Sequence, residues 1–283
     1  MTKGLFVGLI TLDCIYRVDH VPHSDEKIVA EASLLAAGGP ATNAAIAFAA
    51  LGNRATLVGA LGQHPLATLI RAELADYGVE VVDLMPQLAA PPPLSTILVT
   101  AATGDRAVVS RNAVGRQAEP PSVLEPIFSG AEVVLIDGHQ MAVGRAIARQ
   151  AQKQNLPIVI DAGSWKAGFD AVLPLATSAI AAAKFRLPNQ VDTLAALSDL
   201  GIAEVATTHG SHPIRYRHRA AAGTIPTPVV TVQDTLGAGD IFHGAFCHYR
   251  LQVSFPEALA LAAQVAAQSC CHFGPRAWIE AEL

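Results

Sequence analysis

The chain has 283 residues and a mass of 29.4 kDa, enough for one large α/β domain or two ordinary ones around a sizeable core. Hydrophobic residues make up 51% and charged residues only 15%, which excludes disorder over most of the length. With 19 Lys+Arg against 24 Asp+Glu the formal charge is -5, so no general attraction draws the chain to nucleic acid or an anionic membrane, and its apolar stretches are interrupted well short of the ~20 residues a bilayer span requires.

The opening run MTKGLFVGLITLDCIY superficially suggests a secretory signal, but Asp13 and the missing small-residue cleavage site favour a first buried strand, Leu5 to Ile10. A helix is expected from Pro40, which suits a first turn because its missing N–H would have no intrahelical partner; Gly52 sits just past the expected end. Ala55 to Leu61 reads as the next buried strand. Residues 14–37 and 91–112 break this rhythm with short β-type runs. Ser95 to Thr100 and Arg106 to Ser110 form a hairpin through Thr103-Gly104-Asp105, and Pro91-Pro92-Pro93 is a stiff approach to it. These two excursions are expected to form a small β flap, the alternative being edge strands of the main sheet. Val133 to Ile136 and Pro157 to Asp161 read as strands joined by a crossover helix from Met141 to Gln154. Val143, Ala146, Ile147 and Ala151 fall on one face of that helix, and Arg145, Arg149 and Lys153 on another. Strands alternating with helices predict an α/β fold with a mainly parallel sheet. Cys14, Cys247, Cys270 and Cys271 show neither a disulfide framework nor a CxxC zinc pattern, and fit a reducing cytoplasm.

Two glycine-rich turns carry the chemistry. In the first, Gly38-Gly39 precede Pro40-Ala41-Thr42-Asn43, so a small polar molecule could approach main-chain N–H groups at the helix start while Asn43 offers a donor and an acceptor to hydroxyls. A tight turn would use the same glycine pair. The second is more specific. A strand from Val229 to Val232 is expected to lead through Gln233-Asp234-Thr235-Leu236-Gly237-Ala238-Gly239-Asp240 into a helix at Ile241. Gly237 and Gly239 around the small Ala238 would expose consecutive amides at a helix N-terminus, where unpaired donors and the helix dipole favour an anion of phosphate size. An acid at that point would repel a stored anion. Asp240 makes sense if the anion is transferred to a hydroxyl that it orients and deprotonates.

These residues resemble the ribokinase-like (PfkB) carbohydrate kinase family: GGPATNAA is similar to its N-terminal signature, and DTLGAGDIFHGAF matches its C-terminal signature almost letter for letter. The resemblance covers nearly the whole chain. It implies a three-layer α/β/α sandwich with a small β-sheet lid, residues 1–13, 38–90 and 113–283 forming the main domain and 14–37 and 91–112 the lid. It implies ATP-dependent phosphorylation of a sugar hydroxyl, with Asp240 as catalytic base and Gly237, Ala238 and Gly239 as the anion hole. Asp13, placed at the end of the first strand, would bind acceptor hydroxyls together with Gly38, Gly39 and Asn43. Arg111, with Asn112, would stand where the lid returns to the cleft and could touch an acidic acceptor; a solvent-facing arginine is an equal reading. Thr208, Gly210 and Ser211 of the nucleotide loop, with Thr235 and Gly274, would serve ATP. The cofactors implied are ATP and Mg2+, with a monovalent cation such as K+ also allowed. The partners are a small sugar and ATP, without nucleic acid or membrane, and a homodimer through the lid, whose apolar Ile97 to Val99 would permit one.

Three departures stand out against the family pattern. His212-Pro213 replaces the glycine that usually continues the nucleotide loop. No NxxE motif occurs near Ala181 to Phe185, where Lys184 stands instead, so no magnesium-organising acid is named. His64 and Ala67 take the places of a usual Asp and Gly, with consequences for packing. TLDCIYRVDHVP and the missing NxxE suggest the ketohexokinase and sulfofructose kinase branches, hence a ketose or modified ketose. A nucleoside kinase and a non-catalytic sugar or nucleotide sensor remain open. His243, His248 and His272 are assigned no role.

Overall fold

The computed structural model describes residues 1–281. Its strands are β1 (Lys3–Val7), β2 (Thr11–Val18), β3 (Ala32–Gly38), β4 (Arg54–Gly59), β5 (Val79–Asp83), β6 (Leu94–Thr100), β7 (Arg106–Ser110), β8 (Val133–Ile136), β9 (Ile158–Ala162), β10 (Ser178–Ala182), β11 (Glu204–His209), β12 (His212–His218) and β13 (Ala221–Ile225). The helices are α1 (Pro40–Ala50), α2 (Pro65–Asp76), α3 (Met141–Lys153), α4 (Phe169–Val172), α5 (Thr193–Asp199), α6 (Ala238–Arg250), α7 (Phe255–Ser269) and α8 (Ala277–Ala281).

Nine strands form the main sheet in the order β13-β12-β11-β10-β9-β8-β1-β4-β5. Neighbours from β11 to β5 run parallel, and β12 and β13 close one edge antiparallel. Because side chains alternate across a strand, the sheet has two apolar faces. Phe6, Leu57, Leu135, Val159, Ile180 and Ala206 point into one core with α1, α2, α6, α7 and α8. Leu5, Val7, Val58, Val134, Ile136, Ile158 and Ile160 point into the other with α3, α4 and α5. The result is a three-layer α/β/α sandwich. The crossover helix α3 turns Val143, Ile147 and Ala151 inward and leaves Arg145 and Arg149 exposed, as its period predicts.

A separate four-stranded sheet, ordered β3-β2-β6-β7, stands off the sandwich as a lid, so these runs are not edge strands of the main sheet. It begins earlier than expected. The first strand ends at Val7 rather than Ile10, because the Asp137 carboxylate takes the Leu9 N–H at 2.9 Å and the Ala41 N–H at 3.0 Å and turns the chain out of the main sheet. Asp13 therefore lies within β2, in the lid, and not at the end of the first strand. A second correction concerns Val229 to Val232, which form no strand: Val229 is fully exposed, and no neighbouring strand offers these residues a ladder. All four cysteines are free thiols. Among the described residues no helix is long and apolar enough to cross a membrane.

Candidate active site

Two helix N-termini meet between the sandwich and the lid. α1 follows Gly39, whose φ is 104°, and α6 follows Gly237, whose φ of 74° is a left-handed conformation that a side chain would strain. The two helices pack closely because Gly244 has no side chain: a Cβ there would lie 2.3 Å from the Ala44 carbonyl oxygen. This approach lets Asn43, one turn into α1, donate through Nδ2 to Asp240 Oδ2 at 2.8 Å. The other end of the Asn43 amide accepts from Arg276 Nη1 at 2.9 Å, which fixes its orientation, and Arg276 is in turn held by Glu73 at 2.9 Å and by the Ala37 carbonyl.

Among the described residues the backbone N–H groups of Gly237, Gly239 and Asp240 have no hydrogen-bond partner, and that of Ala238 leans on the Thr235 carbonyl at 3.4 Å. A Cβ on Gly239 would meet nothing within 4 Å, so the approach to these amides is open. The arrangement can cradle an anion, as the glycine spacing predicts. Burial raises the Asp240 carboxyl to about 6, with the nearby Asp161 adding to the rise and Asn43 and His243 opposing it.

On the other flank, Asp13 is buried and accepts from the Thr11 hydroxyl, beside Ser95. A Cβ on Gly38 would fall 2.0 Å from Asp13 Oδ2, so only glycine leaves room for this carboxylate. Burial raises its pKa, against the hydroxyls of Thr11 and Ser95 and the charge of Arg276. Ser95 continues to Ser110 at 3.0 Å, and Ser110 Oγ accepts from the Asn112 N–H at 3.1 Å. Gly38, Gly39, Asn43, Asp13, Asp240 and the Gly237-Ala238-Gly239 turn are thus brought together.

Other expected residues are placed differently. Arg111 is exposed after β7, and its side chain makes no hydrogen bond or ion pair among the described residues. Thr208 ends a half-buried stretch of β11, while Gly210 and Ser211 form the exposed turn into β12. Gly274 donates to Asp234 Oδ2 at 2.9 Å and lies against Leu34 of the lid. Thr235 is bound by the lid, through Gly104 and Arg106.

Four participants escaped sequence reading. Asp137, besides turning the chain after β1, accepts from the His139 N–H at 2.9 Å; burial alone would raise its carboxyl, but His139 and the backbone donors hold it below the usual range. Asp161 is the penultimate residue of β9, and His243 Nε2 lies 3.7 Å from it while His243 Nδ1 is 2.7 Å from the Gly239 carbonyl. Arg276 completes the group. Asp161 and Asp137 do follow apolar strand runs, a position at which α/β sheets carry functional side chains, so that signal was readable.

A parallel-sheet sandwich with open amides at a helix start, an acid beside them and a lid above is the architecture of a phosphotransferase. A family model, pfkB family carbohydrate kinase, matches residues 1–282, and the chain belongs to that family. It is an ATP-dependent carbohydrate kinase that transfers a phosphoryl group to a sugar hydroxyl. It is similar to the ATP-dependent ribose-1-phosphate kinase of Halopiger xanaduensis, with 27% identity over 87% of this chain and 84% of that one. The ribokinase of Bacillus subtilis shares 25% identity over 95% of this chain and 92% of its own. The ribokinase structure of Giardia lamblia superposes with a TM-score of 0.81 at 20% identity, covering 99% of this chain and 96% of that one. These relatives correct the expected placement near the ketohexokinase and sulfofructose kinase branches: the chain stands with the ribokinases. The segment TLDCIYRVDHVP, one basis of that expectation, forms β2 and the turn after it in the lid.

Proposed function

We propose that this protein phosphorylates a ribose-type pentose at the expense of ATP. The observation that carries the reading is the bond from Asn43 Nδ2 to Asp240 Oδ2, which joins the acceptor side of the site to the anion-binding turn. Asp13 and Asn43 would hold sugar hydroxyls, with Gly38 and Gly39 keeping that wall bare. One hydroxyl would then lie against Asp240, and the amides of Gly237, Ala238 and Gly239 would receive the transferring phosphoryl oxygens. Phosphoryl transfer is loose, so alignment and charge stabilisation contribute more than base strength. A carboxyl raised to about 6 is mostly ionised at neutral pH and still able to take the proton from the attacking hydroxyl. Lid closure would exclude water that competes as acceptor.

ATP would enter from the β11–β12 turn, with Thr208, Gly210 and Ser211 on its flank and Gly274 and Thr235 behind the catalytic turn. Magnesium bound to the nucleotide would neutralise charge on the phosphates. No group of three His, Cys, Asp or Glu side chains able to chelate a metal occurs among the described residues, so the ion would be held mainly by the nucleotide, with Asp161 and Asp240 as the neighbouring acids. A homodimer through the lid would use its exposed face, Leu35 and Val109, because Ile97 and Val99 are buried in this chain.

One observation favours a phosphorylated pentose as a second reading: Arg116 is buried with Nη1 unpaired among the described residues, and Arg111 lies close enough to depress its pKa after the effect of burial. A coupled ADP-release assay over ribose, ribose 1-phosphate, fructose and nucleosides tests the proposal. Turnover with ribose supports it; turnover confined to ribose 1-phosphate moves the assignment to the second reading. Turnover confined to fructose or nucleosides, or binding without turnover, refutes it.

A further inference from the structure

The turn that bears the open amides is gripped from the lid. Arg106, the first residue of β7, donates from Nη1 to the Thr235 carbonyl at 2.7 Å and to Thr235 Oγ1 at 3.0 Å. The Thr235 N–H and hydroxyl both donate to the Gly104 carbonyl of the β6–β7 turn, at 3.2 and 3.1 Å. Gly104 lies so near the segment leading to Thr235 that a Cβ there would be 2.7 Å from Val232 Cγ1 and 3.1 Å from the Gln233 carbonyl. The apolar side of the lid, Ile15, Ala36, Ile97 and Val99, packs on Leu236 and Phe273, so the residue after Thr235 and the residue before Gly274 both touch the lid. The Thr235 carbonyl that Arg106 holds also receives the Ala238 N–H, the first residue of α6.

We propose that Arg106 is a positioning residue that couples lid closure to assembly of the phosphoryl-binding turn. The inference rests on the proposed role of Gly237 to Asp240. A guanidinium offers two parallel donors in a rigid plane, and here one of its nitrogens spans the carbonyl and hydroxyl of a single residue. With the lid down, Thr235 is fixed at its N–H, hydroxyl and carbonyl, and the amides two to five residues later inherit that orientation. With the lid raised these bonds are lost together, and the turn is left to its bonds with Asp234 and the main domain. Sugar held under the lid therefore promotes the geometry that accepts the phosphoryl group, and ATP bound without sugar is protected from hydrolysis. Arg106 touches neither reactant in this scheme.

The test is steady-state kinetics on Arg106→Ala and Arg106→Lys. Misplacing reacting groups by about an ångström costs up to roughly a hundredfold. Arg106→Ala should therefore lower kcat by about tenfold to a hundredfold with the KM for ATP changed less than about twofold, and millimolar guanidinium added to the assay should restore part of the loss. Arg106→Lys keeps the charge on a shorter side chain, whose nitrogen falls short of the Thr235 carbonyl and hydroxyl, and should remain impaired. Full activity in Arg106→Lys would show that charge alone matters and would overturn the clasp, as would wild-type kcat in Arg106→Ala or a loss expressed only in KM. Arg106 is exposed, so folding should survive; equal melting temperatures verify this, and if the alanine variant melts early, Arg106→Gln with the guanidinium rescue decides the matter. Asp240→Asn run alongside separates the two levels: an active Asp240→Asn removes the site assignment, whereas an inactive Asp240→Asn with an active Arg106→Ala removes only the clasp.

Discussion

Replacing Asp240 by Asn should abolish most activity and yet stabilise the fold. The carboxyl is raised from 3.8 to about 6, first by burial and then by Asp161, so ionising it within the folded protein costs about 3 kcal/mol relative to the unfolded chain. The group is only half-buried, and solvent screening brings the recoverable part to about 1–2 kcal/mol, or roughly 2–3 °C in Tm for a domain of this size. Asn is neutral at every pH and keeps an amide oxygen that can accept from Asn43 Nδ2, so the substitution removes the charge and preserves the bond. The sign follows from linkage. A raised carboxyl makes the native state bind the proton more tightly than the unfolded chain between about pH 4 and 6, so native stability falls as pH rises through that window. The advantage of the variant is therefore complete near pH 8 and disappears near pH 4. Catalysis moves the other way: losing the proton acceptor should cost about 10²–10⁴ in kcat. Scanning calorimetry at about pH 8 and pH 4, paired with the ADP-release assay, reads both effects. A variant with near wild-type turnover, or one whose Tm at pH 8 falls below that of the parent, refutes the reasoning.

Further outcomes follow from the same geometry. Gly239→Ala meets open space and should leave Tm unchanged while lowering kcat as its methyl intrudes on the anion-binding amides, whereas Gly237→Ala, at a φ of 74°, should lower stability by about 1 kcal/mol as well; equal effects on Tm would contradict this contrast. Asp13→Asn should raise the KM for sugar by about tenfold or more with little change in the KM for ATP, as measured by varying each substrate in turn. The acid limb of kcat/KM should bend near pH 6, and Asp161→Asn, by removing a like charge from beside Asp240, should move that bend to lower pH; an unmoved or rising bend would exclude Asp161 as a cause.

Local chemistry in the sequence determined much of this protein. Pro40 after two glycines starts a helix whatever surrounds it, and Gly237-Ala238-Gly239 before Ile241 creates open amides from backbone geometry alone, so both turns were legible with their acids and amides. The period of 3.6 in Met141 to Gln154 and the two-residue alternation around Gly104 likewise predicted α3 and the β6–β7 hairpin, since each depends on neighbours in the chain. Tertiary structure decided the rest. That the first strand ends at Val7 and releases Asp13 to the lid depends on Asp137, about 130 residues away, and no local pattern encodes that bond. Val229 to Val232 has strand composition but lacks a strand beside it. Asp161, His243, Glu73 and Arg276 are scattered along the chain with no motif between them, and only the convergence of strand ends and helix starts makes them neighbours. The grip of Arg106 on Thr235 has the same origin: it exists because a lid built from two separate excursions folds down onto the loop before α6, an encounter set by packing over distance.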